Sequence, residues 1–204
     1  MKSINLSTVV KILRQLEEEE GIQTTLLGIG PMSQNVIRAA LELGQEKDFP
    51  VMFIASRNQV DLARYGGGYV AGWEQADFVC SVQSVARDIG FKGLLYICRD
   101  HGGPWQRDEE WKQHLPLETA MNQAKESFFA DVASGFNVLH IDPTKDPHID
   151  LTLETVIDRV TTLVSAIQLE VQNIPPQEQK VLSYEIGTEE TVGGLIEIEP
   201  FTHF

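Results

Sequence analysis

The stretch Ile97-Cys98-Arg99-Asp100-His101-Gly102-Gly103-Pro104 decides how this chain is read. An apolar run, Leu94 to Ile97, empties there into an adjacent acid and imidazole and then into turn residues. A buried parallel strand delivers polar groups in this way, because in a (β/α) barrel the functional side chains sit at the carboxyl ends of the strands. On that reading Asp100 is a proton-transfer group and His101 a neighbouring metal ligand. A plainer alternative makes Asp100 a cap for the following turn and leaves His101 to hydrogen-bond the loop.

Outward from this strand, short apolar runs alternate with segments of helical periodicity. Upstream, the pattern predicts a helix over Leu6 to Glu19, a strand over Thr24 to Ile29 and a helix over Ser33 to Leu43. A second strand, Val51 to Ala55, leads through Gly66-Gly67-Gly68-Tyr69 to a helix from about Trp73 to about Asp88. Downstream of the third strand, Leu94 to Cys98, a Trp-rich loop precedes a helix over Leu117 to Ala133. A fourth strand, Asn137 to Ile141, then ends in Asp142-Pro143. A helix from about Leu151 to Gln172 and a fifth strand, Val181 to Ile186, complete the series. Strand-then-helix repetition of this kind predicts an α/β fold with a parallel sheet covered by helices. Five strands leave two architectures, an open five-stranded sheet or part of an eight-stranded barrel, which takes roughly 250 residues. The expectation taken forward is a TIM (β/α)8-barrel type with only about five strands present. Residues 1–204 then form one domain, the N-terminal part of a barrel, truncated after Phe204.

Composition narrows the partners. A 204-residue chain that is 42% hydrophobic can bury a substantial core, and its formal charge of −14 opposes nonspecific nucleic-acid binding. It does not exclude a phosphorylated small molecule held in a local basic pocket. No segment approaches a membrane span, and the Met1-Lys2-Ser3-Ile4-Asn5 start lacks the apolar core of a signal peptide. Cys80 and Cys98 have neither redox nor zinc-finger spacing, so the expected compartment is cytoplasmic, with reduced thiols.

Several short motifs occur in one order: Asn58-Gln59-Val60, Gly67-Gly68-Tyr69, Asp100-His101 with Gly103-Pro104-Trp105, Ala133-Ser134-Gly135-Phe136, Leu139-His140-Ile141-Asp142, and Tyr184-Glu185-Ile186-Gly187-Thr188-Glu189. From about Leu26 to Gly194 this order resembles the non-catalytic subunit family of class II tagatose-bisphosphate aldolase. The resemblance implies a TIM barrel about twice as long as this chain, with further strands downstream of Phe204. It also implies a divalent metal, expected to be zinc, bound by His101 with Glu185 nearby. Asp100 would act on a substrate hydroxyl, and Glu189 or Glu190 would carry a further proton. Glu185 read simply as part of a polar barrel layer, and Glu189-Glu190 as a solvated loop, compete with those roles.

Two function classes follow. In one, the chain is an accessory subunit that stabilises a catalytic aldolase partner. In the other, it is itself a metal-dependent sugar-phosphate enzyme, such as a ketose-phosphate 4-epimerase working by retro-aldol chemistry. Partners in either case are a catalytic aldolase subunit or further copies of the chain, and a sugar phosphate. Asn58, Gln59 and Asp142 are candidate substrate-binding residues at strand ends, although Asn58-Gln59 could equally close its own loop and Asp142-Pro143 could start a turn. His140 reads as a satisfied core or interface histidine, His114 and His148 lack partners at ligand spacing, and Trp105 and Trp111 read either as a sugar-stacking wall or as packing. This chain departs from the family pattern at Ala55 and Arg57, at His101-Gly102-Gly103-Pro104, and at Pro143 to Pro147. All of these lie in presumed site loops, so they bear on substrate more than on fold.

Overall fold

The structure is a computed structural model that describes residues 4–175, 179 and 181–187. Its helices begin where short polar side chains satisfy the first free N–H groups. Asn5 caps α1 (Leu6–Glu20) by accepting from the Ser7 N–H, and Gly21, at a left-handed φ of 68°, stops it. Ser33 caps α2 (Gln34–Lys47), Glu74 and Asp77 form a capping box on α3 (Gln75–Asp88), and Thr152 caps α6 (Leu153–Asn173). Between them lie the short α4 (Asp108–Lys112) and α5 (Leu117–Ser134), which begins after Pro116 and ends at Gly135.

Strands β1 (Gly28–Ile29), β2 (Val51–Ser56), β3 (Leu95–Gly102), β4 (Val138–Ile141) and β5 (Ser183–Ile186) form one parallel sheet in the order β1-β2-β3-β4-β5. Each strand therefore pairs with the next in sequence. That sequential winding is the winding of a barrel arc, in contrast to the reversed order of a doubly wound sheet. The expected α/β fold with five parallel strands is observed, and the sheet does not close among the described residues.

Alternation along the strands separates two layers. Val51, Phe53, Ala55, Ile97, Leu139 and Ile141 pack against Phe78, Val82, Phe128, Leu163 and Ile167 from α3, α5 and α6, forming the main core. The opposite face carries Met52, Ile54, Tyr96, Cys98 and Val138, and α1 lies across it through Leu6, Val9 and Leu13. The Tyr96 hydroxyl donates to the Ile4 carbonyl, and the Ser183 hydroxyl donates to Asn5 Oδ1 at 2.5 Å. Because Tyr96 and Ser183 stand at the beginnings of their strands, α1 covers the amino-terminal half of this face. The carboxyl ends rise beyond it.

Several elements differ from the sequence expectation. The first strand shrinks from Thr24–Ile29 to two residues, and α4 forms in the segment expected to be loop. The third strand runs on from Cys98 to Gly102, so Asp100 and His101 belong to the strand itself.

Candidate functional site

A one-residue irregularity in β3 aims the site. Arg99 pairs with Leu139 and Gly102 with Ile141, so three steps on β3 oppose two on β4, and His101 takes a left-handed φ of 42°. A bulge of this kind re-aims a side chain at the end of a sheet. The His101 backbone N–H, turned away from the ladder, donates to His140 Nδ1 at 3.3 Å. The two imidazole rings lie with centroids 4.6 Å apart.

Asp142, just past β4, holds the His101 ring. Its Oδ2 accepts from His101 Nδ1 at 2.7 Å and from Gln106 Nε2 at 2.6 Å, while Oδ1 accepts from the Thr144 N–H and hydroxyl. Burial alone would raise the Asp142 carboxyl, but the hydrogen bonds from His101 and Thr144 outweigh it and hold the group below the ordinary carboxylate range. An ionised acceptor requires the His101 proton on Nδ1 and turns Nε2 toward Asp100, whose Oδ1 is 3.5 Å away. Asp100 Oδ1 also lies 3.8 Å from His140 Nδ1. The adjoining His140 ring, opposed by burial and reinforced by attraction to His101 and Arg99, keeps Asp100 below its usual value.

Asp100, His101 and His140 thus each offer a ligand atom, all within 4.8 Å of one another. Two imidazoles and a carboxylate form a donor set suited to a divalent transition metal or zinc, and Asp142 occupies the outer position that commonly fixes a ligating histidine. His140 Nε2 finds no hydrogen-bond partner among the described residues and abuts Gly187, where a Cβ would approach to 2.0 Å. Cys98 lies below on the same face, and burial, with the nearby charges of Glu185 and Asp100, pushes its thiol up. In the ion-free protein this favours the thiol over the thiolate.

The other sequence-derived candidates are dispersed around this group. Glu185 sits opposite His140 in the β4–β5 register, exposed. Glu189 and Glu190 lie outside the described residues. Asn58 donates to Asp108 Oδ1 and the Gln106 carbonyl and accepts from the Asp108 N–H, joining the loop after β2 to α4. Gln59 accepts from the Ser56 N–H and donates to Met32 Sδ. Trp105 is fully buried, with its indole N–H on the Leu115 carbonyl and Arg159 over its ring, so it packs the loop and forms no sugar-stacking wall. His148 stands edge-on to both Trp105 and His114.

His140, read from the sequence as a satisfied core or interface histidine, is buried but stands with Asp100 and His101 in the candidate cluster and leaves Nε2 without a partner among the described residues. Its face was legible in the alternation Val138, His140, Asp142, which matches Cys98 and Asp100 on β3. A second set of residues was missed outright: Arg57, Asp61, Arg107 and Glu110 form a buried ionic network beneath the loops. Arg57 reaches Glu110 at 2.6 Å, Asp61 at 3.1 Å and the Gly103 carbonyl at 2.8 Å. Arg107 binds Asp61 at 3.3 Å and the carbonyls of Tyr65 and Gly67. Asp61 is held ionised against its burial by Arg57 and Arg99.

Fold and site together define an α/β protein of the barrel-winding class, with a carboxylate–imidazole cluster at the carboxyl ends of its strands. Residues 11–199 match the family described as D-tagatose-1,6-bisphosphate aldolase subunit GatZ/KbaZ-like, and the chain belongs to that family. It is 33% identical over 165 residues to the D-tagatose-1,6-bisphosphate aldolase subunit GatZ of Salmonella choleraesuis strain SC-B67, covering 78% of this chain and 36% of the relative. The same subunit of Salmonella paratyphi B is 35% identical over 166 residues, with the same coverage. The chain thus spans about a third of the length of the curated relatives it matches. A crystal structure of a probable tagatose 6 phosphate kinase from Sinorhizobium meliloti 1021 superposes with a TM-score of 0.65 at 29% identity, over 79% of this chain and 38% of that one.

Proposed function

We propose that this chain forms part of a tagatose-bisphosphate aldolase subunit that works in cytoplasmic carbohydrate metabolism as the accessory partner of a catalytic subunit. We further propose that its strand-end cluster holds a divalent cation. Membership of the GatZ/KbaZ-like family supports the first statement. The single observation that carries the second is the convergence of Asp100, His101 and His140 at the sheet's carboxyl edge. In this reading His101 and His140 supply nitrogen donors and Asp100 Oδ1 supplies oxygen, while Glu185 stands on the same face. A bound divalent ion would contribute Lewis-acid polarisation of a substrate oxygen.

The protein's own groups do the rest. Asp142, saturated by Gln106 and Thr144, fixes the His101 ring and its tautomer. Asp100, ionised at neutral pH, has a second oxygen with which to take a proton from a sugar hydroxyl. That competence favours a second reading, a metal-dependent sugar-phosphate enzyme such as a ketose-phosphate 4-epimerase, with Glu189 or Glu190 as a further proton carrier.

Elemental analysis of the purified chain tests the centre, and two variants separate the readings. His101→Ala should lose most bound divalent metal, and wild-type protein that binds none after incubation with zinc would reject the centre. Asp100→Asn should leave the partner's aldolase rate unchanged if the role is accessory. Sugar-phosphate epimerisation by the protein alone, abolished in Asp100→Asn, would replace that reading with the enzymatic one.

A further inference from the structure

A polar cleft of about 410 Å³ opens beside the cluster, lined by Ser56, the turn Gly66-Gly67-Gly68-Tyr69, Arg107, Asp108, Glu109 and Lys112. It neighbours the site, because Ser56 in its lining pairs with Asp100 in the β2–β3 register. Its volume falls within the usual range for small-molecule sites. We propose that this cleft binds the neutral, hydroxyl-bearing part of a sugar whose reacting end lies at Asp100, and that it excludes the phosphorylated end. The proposal rests on the sugar-directed reading above and deepens it by giving the substrate a direction.

Charge carries the argument. Arg107 lines the cleft, but its terminal nitrogens are committed to Asp61 and to the carbonyls of Arg57, Tyr65 and Gly67, so its charge is already neutralised inside the protein. What remains at the surface is Asp108, Glu109 and Lys112, with Lys112 already paired to Glu109 at 3.2 Å. The local balance is negative, and a phosphate dianion placed there would meet the Asp108 carboxylate, which has a hydrogen bond from Asn58 but no ion pair among the described residues. Sugar hydroxyls fit the same surface well, because carboxylates accept from them through charge-assisted hydrogen bonds and Lys112 can donate. Asp108 is pre-oriented by its reciprocal bonds with Asn58, and Tyr69, 65% exposed, presents a ring for the apolar face of a sugar.

Arg107 also makes the cleft rigid. One guanidinium ties the glycine turn to the segment leading into α4, and Gly68 packs so closely that a Cβ there would come within 1.9 Å of the Gln59 carbonyl oxygen. The walls are therefore set before any ligand arrives, which lowers the ordering cost of binding.

Titration of the isotopically labelled chain with unphosphorylated D-tagatose and, separately, with inorganic phosphate tests this by amide chemical shifts. The sugar should shift the amides of Gly66, Gly67, Gly68 and Tyr69. Tyr69→Ala should weaken that binding by about tenfold, and Tyr69→Phe should retain it. Because Tyr69 is exposed, neither change threatens the fold. Phosphate shifting these amides, with loss of the effect in Lys112→Ala, would overturn the proposal, as would a sugar titration that moves none of them or is indifferent to Tyr69→Ala. Metal binding at Asp100 and His101 is read independently, so the centre and the cleft can fail separately.

Discussion

At the residue scale, Asp142 shows how position and role come apart. A carboxylate at a strand end in a barrel-type sheet reads as a substrate ligand, and Asp142 does stand at such an end. Its side chain is nevertheless 1% exposed and accepts four hydrogen bonds from protein donors. We therefore assign it the task of positioning His101. The assignment has a pH consequence. A carboxyl whose folded pKa is depressed stabilises the fold above its unfolded value, near about 3.9, and that contribution is lost as pH falls through the folded value. Asp142→Asn removes the contribution at every pH. Urea midpoints of wild type and variant should therefore differ most at neutral pH and converge in acid, and a gap that widens on acidification would contradict the assignment. Nitrogen shifts of the His101 ring give a second readout, since an asparagine no longer imposes the Nδ1 proton.

At the element scale, the strand–helix order was legible because apolar periodicity and caps are local signals: Ser33, Thr152 and Gly135 mark the boundaries that the sequence suggests. The end of β3 was not legible. Asp100 and His101 look like loop residues because polar groups rarely continue a buried parallel strand, and only the pairing with β4 shows that the strand persists through a bulge. The burial of Arg57 was not legible either, since charged side chains are almost never fully buried unless paired, and its partner Glu110 is fifty-three residues away. That pairing now predicts a large effect. Arg57→Ala leaves Asp61 and Glu110 buried, with Arg107 and Arg99 facing Asp61 and the Arg57 partner of Glu110 removed, and breaking a buried pair in this way costs about 3–5 kcal/mol. Denaturant unfolding measures it. A loss within the roughly 0–1 kcal/mol typical of surface pairs would show that the network is dispensable to the loops it joins.

At the scale of the whole molecule, the sheet has two unpaired edges among the described residues. Parallel strands are ordinarily buried on both faces and flanked on both sides, whereas β1 and β5 each pair with one neighbour only. Apolar side chains stand exposed beside both edges: Leu27 and Met32 near β1, Val181 and Ile186 at β5. Unpaired strand edges bordered by apolar surface are templates for association. Opposing them is the net charge of −14, which makes copies of the chain repel one another over a distance set by salt. The Debye length falls from about 10 Å at 0.1 M salt to about 3 Å at 1 M, close to the reach of a strand-to-strand hydrogen bond, so screening should remove the repulsion without weakening the edge contacts. Sedimentation velocity of the 204-residue chain should accordingly show association that grows with protein concentration and with added salt. A compact monomer at every salt concentration, unfolding in one cooperative transition, would mean that both edges are covered within the chain itself.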